Sequence, residues 1–399
     1  MIARAALLFL TLALAAPGFA ADRERTLSDM MSEVQRLQAR MAVGDKTAYT
    51  EQQGRLRAIG AAISASKPET WKDKSETDAV ADYILSGGQP REVARLLESG
   101  DVPSGEDSLL RGALAYTTGR EREAEALLGD IDPKKTSLRL AGQLAYARSV
   151  LQTARNPRQA IVLLDLARLL APGTLVEEAA LRREILLVGD QRDGDRVVFL
   201  SRQYVTRFGH SIYAEDFIQG LAKATTRFGL GDEMASFRKF DFLLSLLSPD
   251  QRRLFLLTVA REQILNGKFE VAGAAARQAL NDASPGSTDE ARAKLFVASA
   301  KFVTEDYDAG VGALKAVDRA KLDKPDQDLR DAMVYSATHL RDPPTDAANA
   351  EADREERVAA ARFPDADRSQ NADSASLTIE RAERILGRAA ALNSPRSPP

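Results

Sequence analysis

The stretch that decides the fold runs from residue 140 to residue 172 and reads LAGQLAYARSVLQTARNPRQAIVLLDLARLLAP. Its first half has apolar residues at i, i+4, i+7 and i+11, which places them on one face of a helix: Leu140, Leu144, Ala147 and Leu151. Asn156 and Pro157 then supply the N-cap and the first-turn proline of a second helix. That helix carries a similar stripe, which consists of Ala160, Leu164, Ala167 and Leu170. A helix pair of this size buries only one side, so it needs neighbours.

The same pattern recurs along the chain with a period close to that of tetratricopeptide repeats. Ala160 lies 36 residues after Ala124, and Ala309 lies 37 residues after Ala272; the tetratricopeptide period is about 34 residues. The interval between Ala160 and Ala272 leaves room for two more units. We use the first stripe residue of the second helix of each unit, such as Ala160, as its marker. The markers of the two intervening units are predicted near Val197 and Ala235. In the last unit, the predicted stripe consists of Ala309, Ala313 and Ala316.

These repeats predict an all-α fold. We expect a right-handed solenoid of degenerate tetratricopeptide-like helix pairs over residues 68–340, preceded by a helical hairpin over residues 21–67. The repeats are degenerate because the leading aromatic residue and glycine of the repeat family are missing. Capping-box spacing marks three helix starts, at Thr174 with Glu177, Ser248 with Gln251, and Ser287 with Glu290. The fifth pair is predicted to be a buried centre because of its apolar residues Phe237, Phe240, Phe242, Leu243, Leu244, Leu246 and Leu247.

The N-terminus indicates an exported protein. Arg4 precedes an apolar run from residue 5 to residue 16, and Gly18 and Ala20 offer the small residues of a cleavage site. The run is shorter than the ~20 apolar residues that a membrane span requires. We therefore predict a signal peptide at residues 1–20 and a periplasmic protein that does not span the membrane after cleavage.

Composition narrows the classes of function. The formal net charge is −3, which gives no reason to expect a nucleic-acid or membrane-surface partner. The chain contains no cysteine, so disulfides, thiolate metal ligands and lipid attachment to cysteine are excluded. Residues 341–399 are polar and are predicted to be a largely disordered tail with one candidate helix at residues 377–392. The tail is either an inert linker or a segment that folds on a partner.

No motif in the sequence is typical of an active site. His210 and His339 are the only histidines, too few for a zinc cluster, and no Gly-x-Ser-x-Gly motif is present. Glu177 and Glu178 are adjacent on a predicted helix, and adjacent helical positions do not face each other as a catalytic carboxylate pair would. We predict a non-enzymatic protein without a cofactor, a metal or a small-molecule substrate, which presents a long surface to a protein partner.

Four segments, in this order along the chain, resemble the MotC proteins of rhizobial flagellar systems: Gly87–Pro90 (GGQP), Leu110–Gly119 (LRGALAYTTG), Pro172–Arg183 (PGTLVEEAALRR) and Arg207–Ala214 (RFGHSIYA). The resemblance implies a periplasmic protein that is required for flagellar rotation and binds the periplasmic part of the stator protein MotB. It carries over no catalytic residues. The last two segments contain the residues that we predict to contact the partner, namely Glu177, Glu178, Arg182, Arg183, His210 and Tyr213.

Two other interpretations of a helical-repeat chain are open. The first is a general periplasmic scaffold in cell-envelope assembly. The second is a lytic transglycosylase, whose superhelical arm also consists of paired helices. That enzyme needs a compact catalytic domain after the arm, and the residues after 340 are too polar to build one.

Overall fold

The computed structural model describes residues 25–304 and 306–339. Within these ranges all regular structure is helical and no strand occurs, which confirms the predicted all-α class. The predicted signal peptide (1–20), the tail (341–399) and its candidate helix (377–392) lie outside the described residues. None of the described helices combines the length and the apolar character that crossing a membrane needs.

The α-helices are numbered in chain order. The first nine are α1 (Leu27–Ala42), α2 (Thr47–Ala65), α3 (Lys74–Leu85), α4 (Pro90–Ser99), α5 (Asp107–Thr117), α6 (Glu121–Leu128), α7 (Leu138–Gln152), α8 (Pro157–Leu170) and α9 (Leu175–Asp190). The others are α10 (Gly194–Phe208), α11 (Ala214–Arg227), α12 (Met234–Phe237), α13 (Asp241–Leu246), α14 (Pro249–Leu265), α15 (Phe269–Asn281), α16 (Thr288–Thr304), α17 (Tyr307–Ala316) and α18 (Lys324–His339). Short 3-10 helices span Pro68–Lys72, Pro133–Lys135, Arg238–Phe240 and Arg319–Lys321.

The stretch from residue 140 to residue 172 folds into two packed helices, as its spacing predicts. Helices α7 and α8 pack on each other, and the side chain of Asn156 accepts a hydrogen bond from the Gln159 N–H at the start of α8. The stripe residues nearest the contact are buried: Leu140, Leu144, Ala147, Ala160, Leu164 and Ala167. Further consecutive helices pack in the same way, among them α14 on α15 and α15 on α16. The solenoid arrangement and its handedness stay predictions.

Only one of the three predicted capping boxes is complete. Ser248 accepts from the Gln251 N–H while the Gln251 side chain accepts from the Ser248 N–H. At the start of α9, Thr174 caps the helix, but the carboxylate of Glu177 accepts from the N–H of Gly173, one residue further back. Glu290 makes the equivalent bond to Gly286 at the start of α16. The predicted reciprocal bonds were therefore wrong in these two places, although the helix starts were right.

The fifth predicted pair departs most from the repeat. Helix α11 is followed by two short helices, α12 and α13, with a 3-10 turn between them, and the predicted marker Ala235 is exposed. Phe237, Phe240, Leu243, Leu244 and Leu247 are buried, as predicted. Phe242 and Leu246 are exposed, so the expectation of a wholly buried segment was wrong for these two residues.

The predicted stripe of α17 is displaced by one position. Ala309, Ala313 and Ala316 are exposed, whereas Gly310, Leu314 and Val317 are buried. A Cβ atom added to Gly310 would lie 2.4 Å from backbone atoms of Phe302 in α16. The smallest residue type, rather than alanine, therefore permits this close helix contact.

The described chain divides into two compact units. The first comprises residues 25–36 and 52–128, and the second comprises residues 37–51, 129–304 and 306–339. In the first unit, the buried carboxylate of Glu76 accepts a 2.8 Å hydrogen bond from the Leu27 N–H and so fixes the start of α1 on α3. The second unit contains a continuous apolar core and all six predicted partner-contact residues.

Candidate partner-binding surface

The six candidate residues lie on α9 and in the turn between α10 and α11. Two of them, Glu177 and Glu178, have buried side chains. The carboxylate of Glu177 accepts from the Gly173 N–H at 2.6 Å and forms an ion pair with Arg207, with 2.8 Å between Oε2 and Nη2. Glu177 therefore fixes the entry to α9 and holds an arginine of α10, and its carboxylate does not point into solvent.

Glu178 lies deeper, in contact with α10. Its Oε1 accepts a 2.8 Å hydrogen bond from the hydroxyl of Tyr204, and both side chains are fully buried. Burial raises the pKa of Glu178, and the hydrogen bond from Tyr204 acts in the opposite direction. Burial also raises the pKa of Tyr204, as does the adjacent negative charge of Glu178. The ring of Tyr204 packs against Phe217 at a centroid distance of 3.9 Å. This pair holds the two helices together.

Arg182 and Tyr213 form the half-buried part of the surface. The guanidinium carbon of Arg182 lies 5.0 Å from the centroid of the Tyr213 ring, a cation–π contact. Tyr213, Ile212 and Leu175 pack against the tip of the N-terminal hairpin, at Leu37, Met41 and Ala48. Arg183 points to α7, where its guanidinium donates to the hydroxyl of Thr153 at 3.1 Å.

His210 is exposed, and its backbone rather than its ring is fixed. The turn between α1 and α2 comes so close that a Cβ atom on Gly44 would lie 2.4 Å from the His210 carbonyl oxygen. Gly44 also has a φ of +101°, a conformation that favours glycine. The Ile212 N–H donates to the Met41 carbonyl at 3.3 Å. These backbone contacts hold the turn between α10 and α11 against residues 37–51.

We call the exposed and half-buried side chains of this region the turn surface, and it consists of Val43, Tyr49, Arg182, His210 and Tyr213. The structure brings Arg182 and Tyr213 into direct contact, places His210 on the same turn, and directs Glu177, Glu178 and Arg183 to internal contacts. The turn surface offers two phenol rings, an imidazole, an aliphatic side chain and a guanidinium group on a fixed backbone. Aromatic residues and arginine are enriched at protein interfaces.

The sequence-based predictions missed a second exposed area, beside α10. We call it the arginine groove, and it is lined by Arg168, Phe199, Arg202, Gln203, Thr206 and Arg207. Phe199 is 54% exposed although it lies on a helix whose other face is buried. An aromatic residue on the polar face of an amphipathic helix is the signal that would have found it, since Val197, Leu200 and Tyr204 already define the buried face.

Over the described ranges, no three His, Asp or Glu residues are grouped so that they would hold a metal ion. The groups that the two areas present to solvent are guanidinium, imidazole, phenol, amide and hydroxyl groups and apolar side chains. Such groups make hydrogen bonds, ion pairs and cation–π contacts with a macromolecule.

Fold and surface together define an all-α protein of packed helix pairs with exposed aromatic and cationic areas. Residues 1–397 match the family described as chemotaxis protein MotC. The chain is also 29% identical, over 324 residues, to the chemotaxis protein MotC of Rhizobium meliloti (strain 1021). The aligned residues make up 80% of this chain and 74% of that relative. The chain belongs to the MotC family, whose role is in motility and chemotaxis, and which is not a known family of enzymes.

Proposed function

We propose that this MotC-family protein works in the periplasm as a non-enzymatic binding protein that flagellar rotation requires. Its proposed partner is the periplasmic part of the stator protein MotB, and its proposed effect is to modulate how the stator couples to rotation. The observation that carries the proposal is the family match over nearly the whole chain. The pattern of residues 1–20 supports export, because it has the charge, apolar run and small residues of a signal peptide.

The turn surface supports a binding role. Its backbone and the side chains of Arg182 and Tyr213 are held by internal contacts, so little of their conformational entropy is lost when a partner binds. Arg182 is positioned by Tyr213, and the backbone beside His210 is fixed by the close approach of Gly44. A preformed surface of this kind suits a protein that must engage a partner repeatedly without chemical change.

The experiment is an in-frame deletion in a motile strain, complemented with the full chain. We expect the deletion strain to assemble filaments in normal number while its cells fail to rotate them, and the stator protein to be present at normal level. Filament counts by electron microscopy, tethered-cell rotation and immunoblots give the three readouts. A deletion strain that swims normally would contradict the proposal. Loss of envelope integrity without a motor defect would favour the scaffold in cell-envelope assembly.

Binding is tested with purified full-length proteins in two variants of the turn surface. His210→Ala and Tyr49→Ala remove exposed side chains and leave the core intact, so we expect weaker capture of the MotB periplasmic domain and slower swimming. Tyr335→Ala, in α18, removes another exposed aromatic side chain and is the matched control. Equal effects of all three substitutions would count against the turn surface.

A further inference from the structure

The arginine groove is lined by three cations and no carboxylate. Arg168, Arg202 and Arg207 contribute guanidinium groups, Gln203 and Thr206 contribute polar groups that both donate and accept, and Phe199 forms an apolar wall. The cavity has a volume of about 560 Å³, which is within the range of roughly 300–1,000 Å³ typical of ligand sites. A groove with this lining accepts negative charge and an apolar side chain at the same time.

Two of the three arginines are held by acids outside the lining. Arg168 forms an ion pair of 2.8 Å with the buried carboxylate of Glu184 and donates to Gln203, and Arg207 forms its 2.8 Å ion pair with Glu177. Arg202 differs, because within the described part of the chain it has no carboxylate partner. Its guanidinium lies over the ring of Phe242, 4.8 Å from the centroid. One positive charge is thus positioned by an aromatic ring and left uncompensated.

The apolar surface extends beyond the groove onto α13. Phe242, in α13, is 57% exposed, and Leu246 lies one helical turn further on the same face. Helices α10 and α13 therefore each contribute a large apolar side chain to one surface, joined through the contact of Arg202 with Phe242. Arginine and aromatic residues at the centre of a patch are the usual energetic anchors of interfaces.

We propose that the arginine groove, with Phe242, binds an acidic segment of a partner protein that also carries a large apolar side chain. A carboxylate of that segment pairs with Arg202, and the segment's apolar side chain packs between Phe199 and Phe242. The inference rests on the proposed function, in which the partner is the periplasmic part of MotB, and it adds a second contact besides the turn surface and the chemistry of that contact.

An anionic membrane surface fits these side chains less well than a protein does. Electrostatic attachment to lipid takes a cluster of about 4–8 basic residues, whereas the groove has one arginine without an acidic partner. The whole chain carries a net charge of −3, which opposes long-range attraction to an anionic surface. A groove that offers defined hydrogen-bonding groups beside an apolar wall instead selects a segment of defined shape.

The test is photocrosslinking in motile cells with the full-length protein. Phe199 and Phe242 are each replaced by p-benzoylphenylalanine, which keeps an aromatic ring at the position, and Tyr335 is replaced in the same way as the control on α18. We expect adducts from positions 199 and 242 and none from 335. The crosslinked peptide, identified by mass spectrometry, is expected to come from the periplasmic part of MotB and to contain Asp or Glu.

The charge is tested in the same cells by a second substitution. Arg202→Glu, added to the probe at position 199, is expected to reduce the adduct yield by about tenfold or more, because a like-charge contact replaces an attractive one. Arg57→Glu, an exposed arginine of the other unit, is the matched control and should leave the yield unchanged. Arg202→Ala is made in parallel, and urea unfolding of the purified variants checks that each is folded.

The two proposals fail in different ways. If the crosslinked peptide is acidic but comes from another protein, the groove stays the binding site for an acidic segment, and MotB is overturned as the partner. Three outcomes would overturn the groove as the binding site. They are no adduct from position 199 or 242 at normal protein level, adducts of equal yield from position 335, and adducts with lipid alone. An unchanged yield with a folded Arg202→Glu or Arg202→Ala variant would overturn the role of its charge.

Discussion

The hydroxyl of Tyr204 lies 2.8 Å from Oε1 of Glu178, and both side chains are fully buried. The bond joins α9 to α10 beside the turn that carries His210 and Tyr213. A carboxylate without solvent depends on its protein partners, because an unpaired buried acceptor retains the full cost of losing water. The position of the turn surface therefore depends on a bond that lies inside the molecule.

Removal of that donor should destabilise the protein. Tyr204→Phe keeps the ring that packs on Phe217 and deletes only the hydroxyl, so we expect the free energy of unfolding to fall by about 1–3 kcal/mol at neutral pH. Urea denaturation followed by circular dichroism measures it. Tyr335→Phe is the control, because that ring is exposed and its substitution should change stability by no more than about 0.5 kcal/mol. Equal losses in the two variants would refute the role of the bond.

The pKa of Glu178 predicts a pH dependence of stability. Because burial raises this pKa in the folded state, the folded protein binds more protons than the unfolded chain between the ordinary pKa of 4.5 and the raised value. The stability that Glu178 contributes is therefore fully present below about pH 4.5 and is lost as pH rises through the folded pKa. Glu178→Gln cannot ionise, so its stability relative to the native protein should improve as pH rises through this window.

Asp282 is the control, because its contribution to stability is expected to change with pH in the opposite direction. Hydrogen bonds from Arg252 lower its pKa, so its contribution is present above the ordinary pKa of 3.8 and is lost as pH falls through the lowered value. Asp282→Asn should therefore approach the native protein in stability only in acid. Urea midpoints measured from pH 3 to pH 9 compare the variants. A difference between Glu178→Gln and the native protein that does not change with pH would contradict the assignment.

Helices α7 to α9 show what the sequence can predict and what it cannot. The apolar stripes of α7 and α8 follow from spacing alone; six of their eight residues are buried as expected, and Leu151 and Leu170 at the helix ends are partly buried. Glu177 and Glu178 were predicted as contact residues because they lie in a segment that resembles the MotC family, and acidic side chains are usually exposed. Their burial depends on Tyr204, 26 residues after Glu178, and on Arg207, in the same following helix. Local sequence does not show which distant side chain will satisfy a charge.

Asp326 is a second buried carboxylate with partners from other helices. It is 1% exposed, and its oxygens accept from Arg261 at 3.1 Å and from Arg292 at 2.6 Å, so α14, α16 and α18 meet at one charge. Asp326→Ala leaves the partly buried guanidinium groups of Arg261 and Arg292 without the carboxylate that they share. We therefore expect a loss of about 3 kcal/mol in the free energy of unfolding. Asp331→Ala removes an exposed partner of Arg319 and should cost less than about 1 kcal/mol. Chemical denaturation of both variants decides, and similar losses would contradict the prediction.

The displaced stripe of α17 has a simple physical cause. Repeat phase predicts which turn of a helix faces its neighbour but does not fix the phase to a single residue, and an error of one position rotates the predicted stripe by about 100° around the helix. Alanine and glycine are both small, and the segment contains both types. Spacing alone therefore did not show whether Ala309 or Gly310 contacts α16. The close approach of the Phe302 backbone makes the choice in the folded protein.

Two glycines of α17 therefore predict opposite effects of the same substitution. Gly310→Ala places a Cβ atom 2.4 Å from the backbone of Phe302, which cannot move as a side-chain tip would, so we expect a loss of about 1–3 kcal/mol in the free energy of unfolding. Gly312→Ala meets no atom within 4 Å, and alanine should stabilise the helix by roughly 0.5–1 kcal/mol. Thermal unfolding of the two variants beside the native protein gives the signs directly. If Gly310→Ala is as stable as Gly312→Ala, α17 and α16 do not touch at Gly310, and the stripe of Ala309, Ala313 and Ala316 regains support.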